Sequence, residues 1–293
     1  MQDLGLTTIL NGFGISLGDG IIGLQALAIA RGGGAFQGRV ILGRREPLAK
    51  PLVPQLYQRA VDLAETMPMD MAPRGGRVID IRDFALDPAF ACVSMIDFFL
   101  TRLGLDPAEV ASPAKRNSWL APRLRELPDL GLPRGYVLLC PKASIALRDM
   151  PDEPHAALLR GLQRRRLGPV VTQGEALDGA IAAPYCETIE ALAALVAGAR
   201  AVVSTDTAML HIADAYSVPC LALMTTHRPE WRVRDYPYCM AIQLAIAGVP
   251  PSAEFVRGEA DLQAVRAAWF PDGQGLGWID PALDQFDDFI ART

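Results

Sequence analysis

Short β-prone runs alternate with stretches of helical periodicity along this chain, in two series separated by a proline-rich interval. Strands joined through helices form βαβ units, so the alternation points to parallel sheets and an α/β fold. The first series places strands at 6–10, 39–42 and 78–81, with helices at 21–31, 53–66 and 92–103. A glycine-rich loop, 11–20, joins its first strand to its first helix.

Between residues 105 and 134 the periodicity gives way to Pro107, Pro113, Pro122, Pro128 and Pro133, which is how interdomain connections are composed. The second series then predicts strands at 136–140, 169–172, 201–204 and 219–224, and helices at 153–164, 187–197 and 206–216. Weaker signals follow: a strand at 240–244, a helix at 260–269 and a final amphipathic helix at 281–290. A chain of 293 residues exceeds the size at which one hydrophobic core usually stops growing. The expected division is therefore an N-terminal Rossmann-like domain, 1–132, and a C-terminal one, 133–280. The terminal helix, 281–293, is left free to pack back on the first domain. Two doubly wound halves facing a central cleft is the architecture implied.

With 51% apolar and 21% charged residues, the chain has material for buried cores, and its net charge of -5 gives no basic field for nucleic acid. The one dense basic run, Arg164, Arg165 and Arg166, falls where the helix at 153–164 should end and complements its dipole. Five cysteines, at 92, 140, 186, 220 and 239, form no C-x-x-C pair and lie mostly in apolar stretches. That pattern suits buried, reduced thiols in the cytoplasm. Nothing at Met1 to Asp3 resembles a basic signal-peptide n-region, and no apolar run reaches the length of a membrane span.

The residues able to carry chemistry fall in the loops after predicted strands. Ser204, Thr205, Asp206 and Thr207 end a buried strand at a helix start, where free backbone N–H groups and the helix dipole attract phosphate. Thr207, His211 and Asp214 then share one face of that helix. Ser204 to Asp206 can equally be read as a helix cap, with His211 a satisfied, partly buried imidazole. In the loop before the first helix, Gly18 and Gly20 would let the chain turn tightly, with Asp19 at or near the N-cap. Asp19 is thus either a capping carboxylate or a base.

The stretch from Ser204 to Pro219 resembles the ADP-heptose:lipopolysaccharide heptosyltransferases, glycosyltransferase family nine, which read S-x-D-T-G-x-x-H and then G-V-P. Ser204, Asp206, Thr207, His211, Val218 and Pro219 match, while Ala208 stands at the family's Gly and Ser217 at a position commonly Gly. Gly18-Asp19 matches the family's G-D-x-x-x-x-x-P-A loop, with Gln25-Ala26 in place of Pro-Ala. The resemblance implies a GT-B fold and an inverting transfer of a heptose or related sugar from a nucleoside diphosphate. The acceptor would be a hydroxyl of a bacterial glycan or glycolipid.

By the same resemblance Asp19 is the general base, and the backbone at Thr207 and Ala208 holds the donor's pyrophosphate or sugar with Asp206 placing it. Ser144 and Arg148, in the loop after the strand at 136–140, would bind phosphate oxygens, with Met150 replacing the family's Trp. Glu175, in Thr172-Gln-Gly-Glu175, would recognise the nucleoside, or is simply a solvated loop acid. No metal or other cofactor is expected, because GT-B enzymes usually dispense with a catalytic metal and three scattered histidines give no ligand spacing. The implied partners are a nucleotide sugar and a glycan or glycolipid acceptor, with no nucleic acid. The implied location is the cytoplasm, with a peripheral association at the inner membrane face.

Arg44, Arg45, Lys115, Arg116 and Lys142 are candidates for meeting an anionic acceptor, against ordinary surface charge for each; His155 and His227 carry no distinct signal. Two other readings stand beside the transferase. A non-catalytic GT-B scaffold would bind a sugar nucleotide or a partner protein. An NAD-dependent Rossmann enzyme would use Gly12, Gly14 and Gly18, but their spacing misses G-x-G-x-x-G by one residue, and no acid ends the second strand.

Overall fold

A computed structural model describes residues 5–45, 50–90, 92–174, 179–244, 258–270 and 275–293. The chain divides into two compact units, Met1–Glu126 with Glu187–Glu190, and Leu127–Cys186 with Ala191–Thr293.

The first unit is built on a four-stranded parallel sheet in the order β3-β2-β1-β4, formed by β1 (Leu6–Leu10), β2 (Arg39–Arg44), β3 (Glu65–Pro68) and β4 (Arg77–Asp80). Its helices are α1 (Leu17–Gly32), α2 (Leu52–Gln58) and α3 (Met95–Leu103), with α1 packed against both others. The strand order reverses between β1 and β4, which opens a crevice at the carboxyl ends of those two strands. Phe13, Phe84, Phe90, Phe98 and Phe99 fill the core nearby with edge-on ring contacts, among them Phe13 to Phe99 at 5.2 Å.

Two expectations for this unit are corrected. The stripe at 53–66 is a helix only as far as Gln58; Ala60 and Leu63 stay buried in turns, Ala64 is buried just beyond them, and Glu65–Pro68 is the edge strand β3. Gly18 and Gly20 do not make the tight turn, because both are residues of α1. The turn is made by Asn11, Phe13 and Gly14, all with positive φ.

The second unit carries a six-stranded parallel sheet, β10-β9-β8-β5-β6-β7. Its strands are β5 (Val137–Cys140), β6 (Val170–Thr172), β7 (Ile181–Ala182), β8 (Ala201–Thr205), β9 (Cys220–Met224) and β10 (Cys239–Gln243). The helices are α4 (Asp152–Arg165), α5 (Ile189–Ala197), α6 (Ala208–Ala215), α7 (Pro229–Arg232), α8 (Glu259–Ala267) and α9 (Ile279–Ile290). The chain runs outward from β5 to β7, returns to β8 beside β5, and runs outward again to β10, so the switch point lies between β5 and β8. Val137, Leu139, Val203, Leu221 and Leu223 pack with Leu158, Leu162 and Trp269 to form the core.

The terminal helix belongs to this core. Ile279, Leu283 and Phe286 are buried within it, and Arg164 and Arg165 at the end of α4 bond Asp280, with Arg165 also reaching Asp284. The basic run thus both ends α4 and fastens α9 to it. All five cysteines are free thiols; Cys140 and Cys220 are buried, and Cys92 is exposed. Among the described residues no helix is long and apolar enough to cross a membrane.

Candidate functional site

In a parallel sheet every strand delivers its following loop to the same edge, so the loops after β5, β8 and β9 meet at one end of the second unit. β5 pairs with β8 in the register Cys140 to Ser204, and β8 pairs with β9 in the register Thr205 to Leu223. The next residues along each strand therefore converge at the switch point. They are the loop holding Ser144 and Arg148, then Asp206 and Thr207, then Thr225, Thr226 and His227.

Asp206 is the centre of this convergence. Its Oδ2 accepts from Arg148 Nη1 at 3.0 Å and from His227 Nδ1 at 2.7 Å, and Arg148 Nη2 donates to Ser144 Oγ at 3.2 Å. Both the Asp206 and the His227 side chains are almost fully buried. Burial by itself raises the Asp206 carboxyl, but Arg148, the His227 hydrogen bond and charge, and Arg232 on α7 together hold it well below the usual carboxylate range. The site therefore keeps an ionised carboxylate in a dry place by surrounding it with donors.

Just beyond, Thr207 is the N-cap of α6: its Oγ1 accepts the Met209 N–H at 3.1 Å and meets Ser204 Oγ at 3.1 Å. The cap is thus one residue later than the segment 204–206 suggested, and Ala208 is the first residue of the helix. The first amides of a helix have no intrahelical acceptor, so this end presents donors beside the Arg148 guanidinium. On the next turn His211 is buried, with Nδ1 at 2.8 Å from Tyr236 Oη and the two rings edge-on at 5.8 Å. Burial, with Arg232 and Arg148 nearby, lowers His211 to about 4 even though Asp206 pulls the other way. It is a neutral imidazole at pH 7, and Asp214, one turn on, is buried as well. Met150, where the resemblance has a Trp, lies in the apolar core.

In the first unit the corresponding place is the loop between β1 and α1, at the crevice between β1 and β4. Ser16 is the N-cap of α1, and its Oγ accepts the Asp19 N–H at 3.1 Å. Asp19 therefore sits in the first helical turn, where the dipole favours a carboxylate, rather than capping the helix itself. Its Oδ2 lies 3.1 Å from where a Cβ on Gly14 would stand, and Phe84 lies 3.0 Å from the same point. Gly14 has φ of 74°, so both its backbone and its surroundings call for glycine. Asn11 Nδ2 donates to the carbonyl of Arg82 beyond β4 at 3.1 Å, which ties the two lips of this crevice.

Two basic residues read as surface charge are internal. Arg44 is buried, with its guanidinium 3.4 Å from the Tyr57 ring centre, and both Arg44 Nη1 and Tyr57 Oη donate to the carbonyl of Gly12. Lys115 bonds Asp97 at 2.7 Å. Lys142 stays at the surface with Asp149. Glu175 lies outside the described residues. Among the described residues no group of three or more His, Cys, Asp and Glu side chains is placed to hold a metal ion.

The sequence brought forward Asp206, Thr207, Ala208, His211, Ser144 and Arg148, and the fold gathers all six at one sheet edge. It passed over His227, Arg232 and Tyr236. The available signal was positional: His227 follows the strand adjacent to the one that leads into Asp206.

The family model of glycosyltransferase family 9 (heptosyltransferase) matches residues 97–259. The chain belongs to this family. It is a glycosyltransferase, and the oxidoreductase reading falls with that assignment. Solved structures agree on the fold. The dodecameric iron-containing heptosyltransferase TibC, in complex with ADP-D-β-D-heptose, aligns with a TM-score of 0.65 at 12% identity, covering 100% of this chain and 78% of that one. A family 9 glycosyltransferase from Veillonella parvula aligns at 0.61 with 11% identity, covering 100% and 99%. Heptosyltransferase WaaC of E. coli, with ADP-2-deoxy-2-fluoro heptose, aligns at 0.57 with 13% identity, covering 97% and 99%. Comparison with curated proteins by sequence gives no match. The family-nine glycosyltransferase carries the GT-B fold of these relatives, with one doubly wound parallel sheet in each unit.

Proposed function

We propose that this glycosyltransferase moves a heptose or closely related sugar from an ADP-linked donor to a hydroxyl of a bacterial glycan or glycolipid, with inversion at the anomeric carbon. The observation that carries the donor side is the cluster of Arg148, Ser144 and Asp206 at the switch point of the second sheet, directly ahead of the α6 N-terminus. A cation, a hydroxyl and helix amides together suit a diphosphate, and a buried ionised carboxylate suits the hydroxyls of a sugar. TibC and WaaC, which share the fold, are solved with ADP-sugar ligands, which favours adenine as the donor base.

In the proposed step the acceptor oxygen attacks the anomeric carbon, the bond from that carbon to the phosphate oxygen breaks, and the nucleoside diphosphate leaves with the bonding electrons. Asp19 takes the acceptor's proton. Arg148 and the α6 amides at Thr207 and Ala208 offset the charge that develops on the leaving diphosphate, with Gly18 shaping the acceptor side. Because a side chain supplies that positive charge, transfer should persist in EDTA. His211, neutral and hydrogen-bonded to Tyr236, supports the helix behind the donor. Glu175 remains the proposed contact to the nucleoside.

Binding of ADP, GDP, UDP, ADP-heptose and NAD to the purified protein, followed by calorimetry, tests the reading. Tighter binding of ADP-heptose than of ADP, and of ADP than of GDP or UDP, is the expected result. Preference for another nucleoside diphosphate would replace the donor, and no binding of any of them would favour a GT-B scaffold that has lost catalysis.

A further inference from the structure

His227 is drawn into the site by the fold alone. It stands three residues past β9, is almost fully buried, and places Nδ1 2.7 Å from Asp206 Oδ2. Since Asp206 is held ionised and can only accept, Nδ1 carries the shared hydrogen. The two donors on Oδ2 come from opposite sides of β8: Arg148 from the loop after β5, His227 from the loop after β9. Both bonds fall on one oxygen, and among the described residues Oδ1 has no hydrogen-bond partner.

The two donors are not equivalent. Arg148 also reaches Ser144, and in the proposed reaction it is the phosphate ligand, so a bound diphosphate competes with Asp206 for its guanidinium. His227 is given no ligand contact in that reaction, so nothing in it competes for its bond to Asp206 Oδ2.

We propose that His227 is a positioning residue for donor-sugar recognition: it holds Asp206 by Oδ2, so that Oδ1 stays directed at the sugar after the diphosphate has drawn on Arg148. This rests on the ADP-sugar reading above. It makes His227 a determinant of the difference between a nucleotide sugar and the bare nucleotide, with little influence on the nucleotide itself.

Calorimetric titrations with ADP and with ADP-heptose, on the wild type and on His227→Leu, His227→Gln and His227→Asn, separate the possibilities. ADP affinity serves as the control for an intact second unit. His227→Leu removes the donor, and His227→Gln moves its amide to the Nε2 position, away from Oδ2. Both should keep ADP affinity and lose the extra affinity for ADP-heptose by roughly tenfold or more, the worth of a hydrogen bond to a charged group. His227→Asn places an amide near Nδ1 and should restore most of it. If the leucine variant does not fold, the glutamine variant decides. A wild type that prefers ADP-heptose, with variants that keep the full preference, overturns the role of His227 and leaves the donor assignment standing. A wild type with no preference for ADP-heptose over ADP overturns the donor assignment, and the role of His227 with it.

Discussion

His211 is packed inside the second unit between Tyr236 and the buried charges around Asp206, and burial lowers its pKa from 6.5 to about 4. In the unfolded chain the same imidazole takes up a proton near pH 6.5. Between those values the unfolded state binds more protons than the folded one, so stability falls as the pH falls from 6.5 towards 4. At pH 5 this group alone should cost about 2 kcal/mol relative to pH 8. Urea unfolding of the wild type and of His211→Asn at pH 8 and pH 5 measures it: the variant should show the smaller acid-side loss by about that amount. An equal loss in both proteins would mean that His211 is protonated in the folded state. At this scale legibility divides sharply. Asp206, Thr207 and His211 lie within one short stretch, so a single motif shows them together. His227, Arg232 and Tyr236 reach the same place only because β9 lies beside β8, a pairing that no local pattern records.

Elements were legible where their residues face a core and obscure where they do not. Residues 53, 56, 57, 60, 63 and 64 keep helical spacing and are buried throughout, yet the helix stops at Gln58. The pattern reported burial correctly and conformation only in part. β3 gave no signal because it is an edge strand with mostly exposed side chains, held through its ladder with β2 and the exposed Arg39–Glu65 pair. α1 shows the opposite case: Gly18 and Gly20, read as turn-formers, are residues of the helix, and Gly23 on its next turn is part of its packing. A Cβ on Gly23 would lie 2.0 Å from the Phe13 ring, and Phe13 is held there by a backbone with φ of 61° and by an edge-on contact with Phe99. Gly23→Ala should therefore destabilise the protein by about 1–3 kcal/mol through overpacking, despite alanine's better helix propensity. Because Phe13 belongs to the loop that leads to Asp19, turnover should fall as well. A chemical-denaturation midpoint that rises in Gly23→Ala would show that the ring can move aside.

Across the whole chain, the two sheets each reverse their strand order once, and each reversal collects a different kind of chemistry. Between β1 and β4 stands a half-buried carboxylate at a helix start, Asp19. Between β5 and β8 stands a cation paired with a buried carboxylate, also at a helix start. The proposed function assigns phosphate binding to the second arrangement and the proton acceptor for an attacking hydroxyl to the first. If the units divide the reaction in this way, their variants should fail differently. Asp19→Asn preserves size and hydrogen bonding but removes the base, so kcat should drop by about 10²–10⁴ while the Kd for ADP stays within about twofold. Arg148→Ala removes a charge-assisted phosphate contact and also strips Asp206 of a partner, so it should weaken ADP binding by roughly tenfold or more. Pre-steady-state turnover with ADP-heptose, set beside ADP calorimetry on the same preparations, reads both quantities. Near-normal turnover in Asp19→Asn would remove Asp19 from the chemistry, and unchanged ADP affinity in Arg148→Ala would mean that the Arg148–Asp206 pair serves the sheet edge and not the diphosphate.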